Sequence, residues 1–251
     1  MSFEQWPVSY LDMQSVKDCK GNDNMKENSI RFGFYTSYHA TRLCKFLSGS
    51  FRRASTIEMV LHDGRPSDEL ERLCDANGID LIYIDYAKRG VTKYERNEYL
   101  SGILLEKLVV CKVDYCFCFG SRLLSGEILS IYRNRIINFH PSLLPSFPGI
   151  KAIDQAIEYG TLLLGNTAHF IDEGIDTGPI IMQSTLPRIE FVDYDSVLDL
   201  QVPMLSQIIK WLEEGRVEIT GRVVQVHNAV FDKGSFIPNI EHELLKQSNL
   251  I

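Results

Sequence analysis

The chain has 251 residues, of which 45% are apolar and 24% are charged, and its formal net charge is −7. This length and composition are typical of a globular protein with one large domain or two small ones and an ample core. The negative charge argues against a nucleic-acid-binding surface, and no apolar run approaches the roughly 20 residues that span a bilayer. The first residues lack the pattern of a secretory signal, so we expect a cytoplasmic protein with no membrane partner.

The first half of the chain alternates strands with helices. Residues 1–28 are polar and irregular, and we interpret them as an N-terminal extension. Strands are predicted at 30–35, 56–62, 80–84, 114–119 and 136–140, and helices at 40–47, 67–77 and 92–108. This alternation predicts an α/β fold, a Rossmann-like and mostly parallel sheet with helices on both faces. Ligands of such sheets bind beyond the carboxyl ends of the strands.

The second half changes pattern. After a helix at 152–158, two apolar runs at 164–170 and 180–186 are predicted to form antiparallel strands. A long helix at 195–214 follows, with a kink at Pro203. A C-terminal β-hairpin is predicted at 217–226, and residues 236–251 are interpreted as a tail.

Asn138 and His140 stand two apart at the end of a predicted strand, so their side chains point to the same face. Three prolines follow within eight residues of His140 and stiffen the next loop. This pattern favours a site that holds an amide and an imidazole still. A strand end with a capping asparagine and a surface histidine is the plain alternative.

The loop after the first strand contains polar side chains but no glycine. Phosphate-cradling loops usually need glycine, so a ligand here would be held by side chains. The candidates are Ser37, Tyr38, His39 and Arg42, and an ordinary strand–helix connection is the alternative. No metal site is predicted, because Cys116 and Cys118 lie in an apolar run and no CxxC pair is present.

Two long motifs carry a resemblance to a known family. NFHPSLLPSFPG at 138–149 and AHFIDEGIDTGPIIMQ at 168–183 resemble the folate-dependent formyltransferases, most closely the glycinamide ribonucleotide transformylase branch. The resemblance extends over roughly 30–235, so residues 29–235 are interpreted as the catalytic domain. SRLL at 121–124 and WLEEGR at 211–216 belong to it as well.

The resemblance implies an N-formyltransferase that uses 10-formyltetrahydrofolate as donor and a primary amine as acceptor, without a metal. The family's catalytic asparagine, histidine and aspartate fall on Asn138, His140 and Asp176. The folate is expected to contact mainly backbone groups of two segments. The implied positions are Arg122, Leu123, Leu124, Ile171, Asp172 and Gly174.

The acceptor stays open at this point. The ribonucleotide enzymes hold a phosphate with a glycine-bearing loop after the first strand, and this chain has TSYHATR at 36–42 instead. This departure favours a nucleotide-linked amino sugar, with glycinamide ribonucleotide as the alternative acceptor. Methionyl-tRNA formyltransferases carry a further C-terminal barrel and deformylases an N-terminal regulatory domain, and we expect neither here.

Two further alternatives concern turnover and assembly. A catalytically inactive folate-binding or regulatory protein is the alternative from another class, and the complete catalytic trio argues against it. Hydrolysis remains compatible with the same trio. The sequence does not indicate the oligomeric state. The C-terminal β-hairpin and the N-terminal extension are candidate contacts of a homodimer.

Overall fold

The computed structural model describes residues 29–49, 56–188, 193–231 and 234–241, and its secondary structure alternates as the sequence predicts in the first half. The strands are β1 (Arg31–Thr36), β2 (Thr56–His62), β3 (Asp80–Tyr83), β4 (Tyr115–Phe119), β5 (Ile136–His140), β6 (Leu163–Phe170), β7 (Ile180–Pro187), β8 (Val217–Thr220), β9 (Val223–Val226) and β10 (Phe236–Ile237). The helices are α1 (Thr41–Ser48), α2 (Asp68–Ala76), α3 (Lys93–Val110), α4 (Ile128–Ile131), α5 (Ala152–Tyr159), α6 (Tyr194–Asp199) and α7 (Gln201–Glu213).

The described strands form one eight-stranded sheet and one hairpin. The order in the sheet is β10-β7-β6-β5-β4-β1-β2-β3. Strands β1 to β5 pair in parallel, whereas β6, β7 and β10 pair antiparallel. The hairpin β8–β9 is separate. The predicted α/β fold, with its mostly parallel sheet and C-terminal hairpin, is therefore confirmed.

Helices cover both faces of the sheet. The face with Phe34 and Phe117 packs against α1, α2 and α7 in one hydrophobic cluster. The opposite face, with Tyr35, packs against α3 and α4 in a second cluster. Since β1, β2, β4 and β5 are parallel, their carboxyl ends share one edge of the sheet.

Two features at the C-terminal side differ from the prediction. The single helix expected at 195–214 is two helices, α6 and α7, because Pro203 lacks the N–H that would continue the ladder to the carbonyl of Asp199. Strand β10 pairs with β7, so the sheet includes residues 236–237, which were assigned to the tail. Residues 1–28 and 242–251 lie outside the described residues. No described helix is both long and apolar enough to cross a membrane.

Candidate active site

Asn138 and His140 project from β5 at the carboxyl edge of the sheet, as predicted. His140 is buried, and its Nε2 donates to the carbonyl oxygen of Phe147 at 2.8 Å. This bond ties the strand end to the loop that contains the prolines. The loop is held from β6 as well, because the amide of Leu144 donates to Thr167 Oγ1 at 3.0 Å. The two side chains are therefore mounted on a braced segment.

Asp176 reaches the same place from the loop between β6 and β7. Its Oδ2 accepts the backbone N–H of Gly149 at 2.7 Å and lies 3.3 Å from His140 Nδ1. The residue has φ +53°, a left-handed conformation that Asp tolerates better than most residues. Close packing fixes the loop, since a Cβ at Gly178 would lie 1.8 Å from the carbonyl oxygen of Phe170. The structure thus brings the three predicted catalytic residues together.

His169 is a fourth member of this cluster, which we did not single out from the sequence. It lies opposite Asn138 in the β5–β6 ladder. Its Nδ1 lies 2.9 Å from the carbonyl oxygen of Phe170, and its Nε2 lies 3.3 Å from Asn138 Nδ2 and 3.6 Å from Asp176 Oδ1. The signal in the sequence was its position within the second motif. The cross-strand register was needed to see its contact with Asn138.

The surroundings of Asp176 favour its charged form. Burial alone would raise the pKa of this carboxyl, but the contact with His169, the Gly149 amide and the nearby His140 together lower it below its ordinary value. At neutral pH, Asp176 is therefore a carboxylate that can accept a proton.

The lowered pKa of Asp176 predicts a pH-dependent stability. Because the folded-state pKa lies below the unfolded one, the stabilisation is present above about pH 4 and is lost as the pH falls through the folded-state pKa. We expect the difference in unfolding free energy between wild type and Asp176→Asn to shrink as the pH falls below about 4. Urea unfolding at pH 5 and at successively lower pH values, about 0.5 unit apart, measures this. A difference that stays constant with pH would contradict it.

The residues predicted to contact folate belong to two segments, the one after β4 and the loop after β6. Leu124, from the segment after β4, and Ile171, from the loop after β6, pack against the same hydrophobic cluster. Asp172 Oδ1 accepts the backbone N–H of Gly174 at 3.1 Å and the hydroxyl of Thr177 at 2.7 Å, which shapes that loop. Leu123 is half exposed beside them. Folate binding by these segments stays a prediction.

Arg122 is turned away from this segment. Its Nε donates to Asp63 Oδ2 at 3.1 Å, and its guanidinium carbon lies 4.6 Å from the centre of the Tyr86 ring. The same carbon lies 5.8 Å from the centre of the Tyr38 ring, so the side chain contacts three protein groups. A role in folate binding stays a prediction and would fall mainly to its backbone.

The four residues proposed for acceptor binding are not equivalent in the structure. Ser37 is buried, and its hydroxyl donates to Asp63 at 2.7 Å and accepts the Ser121 N–H at 2.9 Å. A role for Ser37 in acceptor binding stays a prediction, and its hydroxyl already bonds to Asp63 and Ser121. Tyr38 and His39 are exposed, whereas burial lowers the pKa of Arg42, which lies over the Phe119 ring. Binding of the acceptor by Tyr38, His39 and Arg42 stays a prediction.

The loop after β1 is rigid without glycine. His62 Nε2 donates to the carbonyl oxygen of Tyr38 at 2.8 Å, and the N–H of Gly64 donates to His62 Nδ1 at 3.1 Å. Tyr38 and Ala40 both adopt positive φ, 56° and 49°. The side chain of His62, at the end of β2, thus stabilises this loop, whereas glycine-rich loops are stabilised by close backbone packing. Within the described residues no group of His, Cys, Asp and Glu is arranged to hold a metal ion.

Comparison with known proteins identifies the family. The model described as "Formyl transferase" matches residues 70–200, which is more than half of the chain. The chain belongs to this formyl transferase family. The match contains Asn138, His140 and Asp176, and it starts after the loop at 36–42.

The curated relatives of this chain include a phosphoribosylglycinamide formyltransferase and trifunctional purine biosynthetic proteins. The phosphoribosylglycinamide formyltransferase of Bacillus subtilis (strain 168) is 38% identical over 119 residues, which are 47% of this chain and 60% of that protein. The chain thus spans less than two thirds of the length of that relative.

Solved structures agree over a longer range. Glycinamide ribonucleotide transformylase 1 from Symbiobacterium toebii has a TM-score of 0.66 and 33% identity, covering 80% of this chain and 95% of the other. The transformylase 1 from Geobacillus kaustophilus has a TM-score of 0.63 and 25% identity, covering 74% of this chain and 100% of the other.

Proposed function

We propose that this member of the formyl transferase family is an N-formyltransferase that moves the formyl group of 10-formyltetrahydrofolate to a primary amine. The observation that carries the proposal is the convergence of Asn138, His140 and Asp176 at one edge of the sheet, with Gly149 and His169 fixing the carboxylate. An amide donor and a charged base side by side are what acyl transfer to an amine requires.

The chemistry follows from these positions. The free amine attacks the formyl carbon, a new C–N bond forms, and the carbonyl oxygen becomes an oxyanion. Asn138 Nδ2 is the donor placed to stabilise this oxyanion. Asp176 takes the proton that the attacking nitrogen loses, and the bond to the folate nitrogen breaks as that nitrogen is protonated.

The two histidines support the carboxylate. Both ring nitrogens of His140 face oxygen atoms, those of Phe147 and Asp176, and only the doubly protonated ring can donate to both. His169 donates through Nδ1 to Phe170, which leaves Nε2 to accept from Asn138 or, when protonated, to donate to Asp176. In this arrangement His140 orients Asp176, and His169 links the base to the amide donor.

The comparisons favour glycinamide ribonucleotide as the acceptor over the amino sugar expected from the loop at 36–42. The Bacillus subtilis relative and the Symbiobacterium toebii structure are both named for glycinamide ribonucleotide formylation. The amino sugar stays a second candidate because the family match starts at residue 70, after that loop. Asp63, which accepts a hydrogen bond from Ser37, also places a carboxylate beside the loop at 36–42.

A direct rate comparison tests the acceptor. We expect purified protein with 10-formyltetrahydrofolate to release tetrahydrofolate faster with glycinamide ribonucleotide than with UDP-glucosamine, and Asp176→Asn to abolish both rates. A faster rate with the sugar would replace the ribonucleotide by the amino-sugar class. Rates at the background level for both amines, equal in wild type and Asp176→Asn, would overturn the enzyme and favour an inactive folate-binding protein.

A further inference from the structure

Asp63 is a buried carboxylate at the end of β2 that the proposed reaction does not use. Its side chain is 4% exposed. One oxygen, Oδ2, accepts hydrogen bonds from the Tyr35 hydroxyl at 3.0 Å, the Ser37 hydroxyl at 2.7 Å and Arg122 Nε at 3.1 Å. Burying a carboxylate is costly unless it is paired and hydrogen-bonded, and these three donors meet that need.

The second oxygen of Asp63 is left open. No hydrogen bond from the described residues reaches Oδ1, and Oδ1 is not one of their fully enclosed, unpartnered polar atoms. A carboxylate oxygen has room for further donors, so Oδ1 can accept from a ligand. The three contacts to Oδ2 hold the carboxylate in place for this purpose.

Asp63 lies close enough to the catalytic residues for one small molecule to reach both. Tyr35, Cys118 and Asn138 stand side by side on β1, β4 and β5. Two strand spacings, about 10 Å, therefore separate the backbone of Tyr35 from that of Asn138. The charges of both Asp63 and Asp176 act on the thiol of Cys118 between them, where they help burial to raise its pKa to about 12. Asp63 follows β2, one strand beyond β1, but its carboxylate reaches back to Ser37 after β1. A molecule about 10 Å long with its amine at Asp176 therefore spans the distance.

The charge pattern selects the chemical group. Arg122 donates its Nε–H to Asp63 and its guanidinium carbon lies 4.6 Å from the centre of the Tyr86 ring, so its positive charge balances the negative charge of Asp63. A phosphate placed at Oδ1 would face a like charge, whereas a hydroxyl group would donate a charge-assisted hydrogen bond. The hydroxyl of Ser37 donates to Asp63, so it is not available as a donor to a phosphate.

We propose that Asp63 is a specificity-determining residue that binds a sugar hydroxyl of the amine acceptor through Oδ1. The inference rests on the proposed N-formyl transfer and adds to it which part of the acceptor Asp63 recognises. Both glycinamide ribonucleotide and a nucleotide-linked amino sugar carry such hydroxyls. The inference therefore holds for either acceptor.

Steady-state kinetics with an isosteric variant tests this. Asp63→Asn should raise the KM for the acceptor by at least about tenfold and leave kcat and the KM for 10-formyltetrahydrofolate within about twofold. The acceptor is glycinamide ribonucleotide or UDP-glucosamine, whichever wild type uses faster. Asp114→Asn is the matched control, since Asp114 lies at the opposite edge of the sheet and accepts only from the Arg31 N–H in the described network. It should change neither KM.

An analogue comparison separates binding from support. The analogue is 2′,3′-dideoxy glycinamide ribonucleotide or the matching dideoxyribose form of UDP-glucosamine. With this analogue, the acceptor KM of wild type should rise as much as Asp63→Asn raises it, and the acceptor KM of Asp63→Asn should not rise further. Equal acceptor KM values in wild type and Asp63→Asn, a wild-type KM unchanged by removal of the hydroxyls, or a rise confined to the folate KM would overturn the inference alone. Absence of transfer by wild type to either amine would overturn the proposed function, and this inference with it.

Discussion

Asp176→Asn is expected to lower kcat by about 10²–10⁴-fold, the range that general acid–base catalysis contributes. The asparagine keeps the size of the side chain, and its carbonyl oxygen can still accept the Gly149 N–H that Asp176 Oδ2 accepts at 2.7 Å. What it loses is the negative charge facing His140 and His169 and the capacity to take a proton. The variant should therefore fold and bind folate while the chemical step fails.

A neighbouring aspartate provides the control for Asp176→Asn. Asp172 lies in the same loop and bonds to Gly174 and Thr177 to shape it. Asp172→Asn should change the KM for folate more than kcat, because it alters the loop and leaves the base in place. If Asp172→Asn lowers kcat as much as Asp176→Asn does, the loop's shape, and not the charge of Asp176, carries the effect.

Asn138→Ala has the second-largest expected effect. Removal of one oxyanion donor costs about 2.7–4 kcal/mol of barrier, or about 10²–10³-fold in kcat. The KM values should change little, since this hydrogen bond is made fully only in the transition state. The variant also removes the partner of His169 Nε2, which lies 3.3 Å from Asn138 Nδ2.

The alternative to an oxyanion-donor role for Asn138 is a purely supporting role toward His169. His169→Ala distinguishes the two, because it leaves the amide of Asn138 in place. We expect His169→Ala to lose less kcat than Asn138→Ala. Equal losses, together with a raised KM in both variants, would assign Asn138 to the support of His169 and contradict the oxyanion role.

Local pattern was enough to predict the parallel half of the fold. The strand at Ile136–His140 and the helix starting after Ser67 are set by nearby residues, and Ser67 accepts the Leu70 N–H at 3.3 Å as a helix cap should. Strand β10 has only two residues and is defined by its partner β7, so no local pattern marks it. The sequence predicts a kink at Pro203 in place of the break between α6 and α7. A proline shows which backbone hydrogen bond is missing, but it does not show whether the helix bends or ends there.

The candidate site divides in the same way. Asn138 and His140 were visible as an i, i+2 pair, and Asp176 came from the resemblance of its loop to the family. His169 and Asp63 act through partners 31 and 26 residues away, Asn138 and Ser37, so only the folded sheet shows their contacts. The hydrogen bond from Ser37 to Asp63 could not be predicted for the same reason, since Asp63 follows another strand.

The fate of a labelled formyl group tests the central claim most directly. Wild-type protein is incubated with 10-[¹³C]formyltetrahydrofolate and glycinamide ribonucleotide or UDP-glucosamine, and the products are followed by mass spectrometry and ¹³C NMR. We predict that the label appears on the nitrogen of one of these amines, at a rate that Asn138→Ala and Asp176→Asn reduce strongly. Label that appears only as formate, or that stays on the folate in wild type and variants alike, would contradict formyl transfer by this site.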